Sequence, residues 1–358
     1  MRRLLWLCAL CAFILPVTGA AGATDATDAT DATDAVSTAG AIDTAGTVDT
    51  AGAAEAVESD AAIDTETIDL DNAALESLPE SDSALAKREK TDVVYLPILM
   101  YHQISQKESK WGDYVISDRE FEDDLQLLKE NGYTTITVSD LLKFMRKKRK
   151  LPPKSVMLTF DDGFESDYVY AFPLLKKYKM KAVFSVIGKY TDFYSQENIS
   201  KHINYSHSTW DEVIEMHKSG LAEFHNHSYD MHVMEGRRGA LRKRGESLEA
   251  YKQAVSDDLG RLNAAYAERI GGVPEAFTCP FGCYNDTLCE VLKELGFSAV
   301  LTSYQKINKL TGDPEEMYHL NRFVRAHNRN IPKLVESWNV LFEMVPAAKT
   351  NRTKIDSP

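Results

Sequence analysis

The chain has 358 residues, 44% hydrophobic and 27% charged, with 54 Asp and Glu against 41 Lys and Arg for a formal charge of −13. This is the composition of a globular protein, long enough for one large domain or two small ones. Residues 1–90 hold 17 of the acids and 5 of the bases, leaving 37 acids and 36 bases elsewhere, a balance that offers no basic face for a nucleic-acid partner.

At the start of the chain, Arg2 and Arg3 precede the apolar run Leu4–Val17, and Ala21-Gly22-Ala23 offers a small-residue cleavage site. Residues 1–23 are therefore expected to be an export signal. The run is short for a membrane span, so no stable membrane insertion is expected after cleavage; an uncleaved signal would act as an anchor. Thr24–Ala35 is a four-fold Thr-Asp-Ala repeat, and small and acidic residues continue to about residue 90. Such a tract lacks the apolar surface needed to offset ordering entropy, so residues 24–91 are expected to be a disordered acidic spacer.

From about residue 92 the texture changes. Val93–Met100 is a strand-like apolar run, followed by Phe121, Leu125 and Leu128 at helical spacing, ending near Gly132. Short apolar runs recur at 134–137, 155–160, 182–187, 221–225, 276–280, 297–302 and 319–324. Helical patterns fill the intervals 168–178, 209–218, 247–268 and 286–295. The alternation predicts an α/β domain with a parallel sheet over residues 92–345, and its seven or eight units suit a barrel. Residues 346–358 are expected to be a frayed tail.

Three segments carry chemistry. Ser155–Phe160 reads as a buried strand running into Asp161-Asp162-Gly163, and strand C-terminal ends face the functional side of a parallel α/β fold. Two adjacent carboxylates there repel unless a cation or proton is shared. Gly163 permits a sharp turn that brings both to one pocket, although a plain connecting turn has the same composition. After Leu221–Phe224 comes His225-Asn-His227-Ser-Tyr-Asp-Met-His232, three of the chain's nine histidines within eight residues. Two imidazoles with one carboxylate make a three-ligand site with an open position, as in catalytic zinc sites. In Phe277–Asn285, Pro280 and Gly282 can shape a turn presenting backbone N–H groups. Cys279, Cys283 and Cys289 read as buried free thiols, or as one pair and one free thiol.

Thr159-Phe-Asp-Asp-Gly163 resembles the first motif of the polysaccharide deacetylases (carbohydrate esterase family 4, the NodB-homology family), and His227-Ser-Tyr-Asp-Met-His232 resembles its metal motif. Leu99-Met-Tyr-His102 and Phe281-Gly-Cys-Tyr284 are similar to further segments of the subgroup acting on exopolysaccharide and cell-wall amino sugars. Together these segments cover roughly residues 94–340, in the right order. The resemblance implies a distorted (β/α) barrel, with a divalent metal held by Asp162, His227 and His232. Zinc is expected first, with cobalt and nickel compatible. Asp161 would be the general base, and the backbone N–H near Phe281 would stabilise the oxyanion.

The implied reaction is removal of N-acetyl groups from a GlcNAc-containing polysaccharide, by a secreted or cell-wall-associated enzyme. A monomer is expected. Tyr229 and Phe281 are candidates to contact sugar, and His225 and His102 to line the pocket. His327, following the strand-like Leu320–Val324, is the candidate general acid. Many family members carry an arginine that tethers the catalytic carboxylate where this chain has Thr278, so the tether of Asp161 is left unassigned. Two other functions fit the same residues: an O-acetyl esterase on a polymer such as acetylxylan, and a glycan-binding module with a decayed site. Retention of both aspartates and both histidines argues against decay.

Overall fold

The computed structural model describes residues 93–147 and 149–344; the expected export signal, acidic spacer and C-terminal tail lie outside them. The first apolar run forms two strands, Val94–Leu96 (β1) and Ile98–Tyr101 (β2). Pro97 between them has no N–H to donate, but its carbonyl accepts from the Met157 N–H at 3.1 Å. Next come Gln103–Ile104 (β3), Val115–Ile116 (β4), the helix Asp118–Glu130 (α1), Thr134–Thr135 (β5), Val138–Met145 (α2) and Ser155–Phe160 (β6). Phe172–Tyr178 (α3), Ala182–Val186 (β7), Gly188–Tyr194 (α4), Trp210–Lys218 (α5), Ala222–Asn226 (β8) and Leu248–Arg269 (α6) follow. The chain continues through Ala276–Thr278 (β9), Asp286–Glu294 (α7), Ala299–Leu301 (β10), Asn308–Leu310 (β11), Phe323–Val324 (β12) and Ile331–Met344 (α8).

Helix starts are written locally. Ser117 with Glu120, Thr137 with Asp140, and Thr209 with Glu212 form reciprocal caps at α1, α2 and α5. Each side chain satisfies a backbone donor that the first turn leaves without a partner, typically worth ~1 kcal/mol.

The main sheet has the order β10-β9-β8-β7-β6-β2-β12, parallel throughout, with β5 beside the start of β6. The expected parallel α/β architecture is what the chain forms. Leu320, just before β12, makes a parallel bridge to Leu301, so the two edges of the curled sheet touch through a single bridge. Separately, β1 pairs antiparallel with β11, a strand without a strong apolar signature in the sequence.

Alternation along the strands sorts side chains between two layers. Val156, Leu158 and Phe160 face the helices and pack with Phe121 and Leu125, whereas Met157 joins Ile98, Val183, Ala276 and Leu301 inside the curl. On the helix side, Tyr101, Phe160, Phe184 and Phe224 stack in a row across four adjacent strands, with centroids 5.0, 4.9 and 5.3 Å apart. These rings are direct register partners. Each such pair is worth about 0.5–1.5 kcal/mol beyond its area, and the row pins the register of the strands whose C-terminal ends carry the polar residues described next.

Candidate active site

Phe160 ends β6, and the chain turns at once. The Asp161 N–H donates to the Tyr101 carbonyl at 3.0 Å, extending the ladder by one residue, and the Gly163 N–H turns back to the Asp161 carbonyl at 2.9 Å. Asp162 between them is left-handed, with φ 69°, a conformation that costs a non-glycine residue of order 1 kcal/mol or more. Gly163 is also left-handed, and a Cβ there would meet Val186 Cγ1 at 2.7 Å. This tight turn sends the two neighbouring carboxylates to different partners.

Asp161 continues the inner-face series of Met157 and Thr159 and meets Arg322. The guanidinium grips it with both nitrogens, Nη1 to Oδ1 at 2.7 Å and Nη2 to Oδ2 at 2.8 Å. Arg322 is itself 1% exposed and fixed by Nε donating to the Thr302 carbonyl at 2.7 Å and Nη1 to Thr159 Oγ1 at 3.1 Å. Burial pushes the Asp161 carboxyl up. The charge and hydrogen bonds of Arg322 outweigh it, with help from His227 and His102, and hold the group below the usual carboxylate range. The tether left open at Thr278 thus comes from a different strand segment. The sequence reading missed Arg322.

Asp162 points instead to two imidazoles. Its Oδ1 lies 3.3 Å from His227 Nε2 and 3.2 Å from His232 Nε2. The three donor atoms fall within 4.8 Å of one another. Ligands ~2.1 Å from a tetrahedral ion stand roughly 3.4 Å apart, so the spacing fits a divalent metal. Asp162 Oδ1 is buried without a hydrogen-bond partner, as an atom reserved for an ion would be. The Nδ1 of His227 lies 2.9 Å from the Thr278 carbonyl, which can only accept. The neutral ring therefore carries its proton on Nδ1 and turns a lone pair at Nε2 toward Asp162.

The loop holding His232 is tied from behind. Asp258 on α6 accepts from the Tyr229 and Asp230 N–H groups, both at 2.8 Å. The Ser228 N–H donates to Asn226 Oδ1 at 2.7 Å, and Ser228 is left-handed, with φ 72°. Phe281, the third left-handed non-glycine residue here at φ 55°, places its ring 4.2 Å from His232. Its N–H finds no backbone acceptor among the described residues.

The remaining candidates disperse. His102 lies beside Asp161, Nε2 3.9 Å from Oδ2, with Tyr114 packed edge-on at 4.8 Å. His327 is placed elsewhere: Nδ1 pairs with Glu120 Oε2 at 2.9 Å and the ring packs on Trp111. Tyr229 is buried, its hydroxyl donating to Asp192 at 2.8 Å and its ring covered by Arg261 at 3.7 Å, which leaves no free face for a sugar. Cys279, Cys283 and Cys289 are buried free thiols, one of the two readings left open.

His225 does not line the pocket. It sits below His227 on the same face of β8, bonded to Glu223 Oε1 at 2.7 Å and, through Nδ1, accepting from the Ala276 N–H at 3.3 Å. Burial raises the Glu223 carboxyl, but His225, Thr137 and the Ser139 N–H bring it down to about 2. A depressed carboxyl contributes stability that is complete above its unfolded value and is lost as pH falls through the folded one. Glu223→Gln is expected to cost up to about 3 kcal/mol at pH 7, the deficit shrinking below pH ~4. Urea unfolding across that range checks it; a deficit independent of pH would show the contribution is not ionic.

A family model described as polysaccharide deacetylase matches residues 148–300. A poly-beta-1,6-N-acetyl-D-glucosamine N-deacetylase of Staphylococcus aureus (strain MRSA252) is 29% identical over 205 residues, which is 56% of this chain and 65% of that relative's length. The match thus falls just short of two thirds of the relative. Among solved structures, the de-N-acetylase from Aggregatibacter actinomycetemcomitans aligns with a TM-score of 0.59 at 26% identity, covering 68% of this chain and 99% of that one. IcaB from Ammonifex degensii aligns at 0.55 and 28%, covering 71% and 97%. The turn that parts Asp161 from Asp162, the paired histidines and these likenesses all agree in what they resemble: residues 148–300 match the polysaccharide deacetylase model, and the fold is similar to that of solved deacetylases.

Proposed function

We propose that the chain is a metal-dependent N-deacetylase acting on a β-1,6-linked N-acetylglucosamine polymer. One observation carries the reading: a three-donor set, Asp162, His227 and His232, stands beside a buried carboxylate, Asp161, that belongs to Arg322 and not to the set. The polymer is taken from the substrate in the Staphylococcus aureus relative's name. A zinc ion bound there would polarise the acetyl carbonyl and lower the pKa of water toward ~7, and cobalt or nickel suits the same donors.

Asp161, kept ionised by Arg322, accepts the proton of the attacking water. The Phe281 N–H, without another backbone acceptor among the described residues, donates to the developing oxyanion, a contact worth ~3 kcal/mol where such donors have been removed. We assign proton delivery to the leaving amine to His102, which lies 3.9 Å from Asp161. His327 pairs with Glu120 and is assigned a structural part in place of the expected acid. Phe281, beside His232 and half-buried, is the candidate sugar contact, whereas Tyr229 is buried. Among the described residues no helix is long and apolar enough to cross a membrane. Export through residues 1–23 would bring the enzyme, read as a monomer, to a polymer outside the cell.

Acetate release from β-1,6-linked N-acetylglucosamine oligomers and from acetylxylan, before and after chelation, tests the assignment. Release is expected from the oligomers alone, falling at least ~100-fold with chelator and returning with zinc. Release from acetylxylan alone would overturn the N-deacetylase reading, and binding without release would point to a glycan-binding module.

A further inference from the structure

At the other end of the sheet, where β5, β6 and β7 begin, lies a groove of about 400 Å³. The six residues of β6 separate it from Asp161 by about 20 Å. Lys129, Arg149, Lys150, Lys179 and Lys181 line it against a single lining carboxylate, Asp140. Asp140 is largely buried and holds Lys181 at 3.1 Å and Arg149 at 3.5 Å, so it offsets only part of this charge. Lys129 lies 5.5 Å over the Tyr178 ring. Lys179, exposed and left-handed at the end of α3, has no ion-pair partner among the described residues. The near-neutral balance of the folded part thus conceals a local excess of positive charge.

The opposite charge is in the same chain. Asp49–Asp82 contains eleven carboxylates and no Lys or Arg. Val94, where the described structure begins to pack, shares an apolar cluster with Leu151, which also lines the groove. β2 runs parallel to β6 with Ile98 beside Met157, so the chain enters the domain toward the pole where β6 begins, the pole that carries the groove. The link from Asp82 to Val94 can extend to about 40 Å, and a tether of this kind supplies an effective concentration in the millimolar range. We propose that the groove is a docking site for the chain's own carboxylate-rich segment Asp49–Asp82, held by charge at the pole opposite the metal site. An external polyanion would have to compete with a partner that is always present. The contact weakens with salt, because its cations are exposed.

Zero-length carbodiimide cross-linking of the full chain, followed by peptide mapping, tests this directly. At low salt, links from carboxylates in 49–82 are expected to concentrate on Lys129, Lys179 and Lys181, and to fall at least fivefold in 0.5 M NaCl. Lys129→Gln with Lys179→Glu should remove them with acetate release unchanged. Lys179→Glu alone, at an exposed and unpaired position, serves if the double variant fails to fold and should at least halve them. Links spread over surface lysines in proportion to exposure, or unchanged in the variants, would overturn the proposal. So would added polyphosphate occupying the groove while the links persist, since the site would then serve an external polyanion.

Discussion

Asp161→Asn is expected to lower turnover by about 10³-fold while the protein keeps its metal. The amide preserves the shape of the side chain and can still accept from Arg322 through Oδ1, but its nitrogen cannot take a proton from water. None of the three candidate metal donors is touched, because Asp161 stands outside that set. His227→Ala gives the contrast: it removes both a donor and the imidazole that Thr278 orients, so metal and turnover should be lost together. Metal content after gel filtration, measured beside acetate release, separates the two variants. Turnover within tenfold of the unaltered protein for Asp161→Asn would remove Asp161 from its assigned place in the chemistry.

Arg322→Met should be the most destabilising single change at the site. It leaves the Asp161 carboxylate 3% exposed and without its two charged hydrogen bonds. Removing one partner of a buried pair typically costs about 3–5 kcal/mol, or on the order of 10 °C in Tm for a domain of this size. Arg322→Lys keeps the charge but loses the fork that bonds both oxygens, so an intermediate loss is expected. The decisive comparison is Arg322→Met combined with Asp161→Asn. With no charge left to strand, the double variant should recover much of the lost Tm. If it were no more stable than Arg322→Met alone, the cost would lie in packing and not in the orphaned carboxylate.

Several features were legible in the amino-acid order because they are local. The run 155–160 is continuous and apolar and ends on two aspartates, and the helix over 210–218 opens with a capping box. His227 and His232 are close in sequence and follow a short strand. Arg322 had no such signal, since its partner is far away along the chain and only the curl of the sheet brings them together. Two clues existed: an arginine amid the apolar residues Leu320, Phe323 and Val324, and the missing arginine at Thr278. His225 misled for the opposite reason. Proximity in sequence to two candidate metal donors did not reveal that strand alternation places it one layer deeper, against Glu223. Counting charges over long stretches likewise averaged away the basic groove, whose cations come from three separate segments.

Thr278 links two of the proposed roles through one residue. Its carbonyl orients His227, its hydroxyl is bonded to Ser185 at 2.6 Å, and three residues later the chain presents the Phe281 amide. The carbonyl that holds the candidate metal donor His227 and the amide proposed as oxyanion donor therefore share one short span of backbone. A change that shifts this span cannot detune one without the other, so affinity for the ion and stabilisation of the tetrahedral state should decline in step across substitutions in Thr278–Gly282.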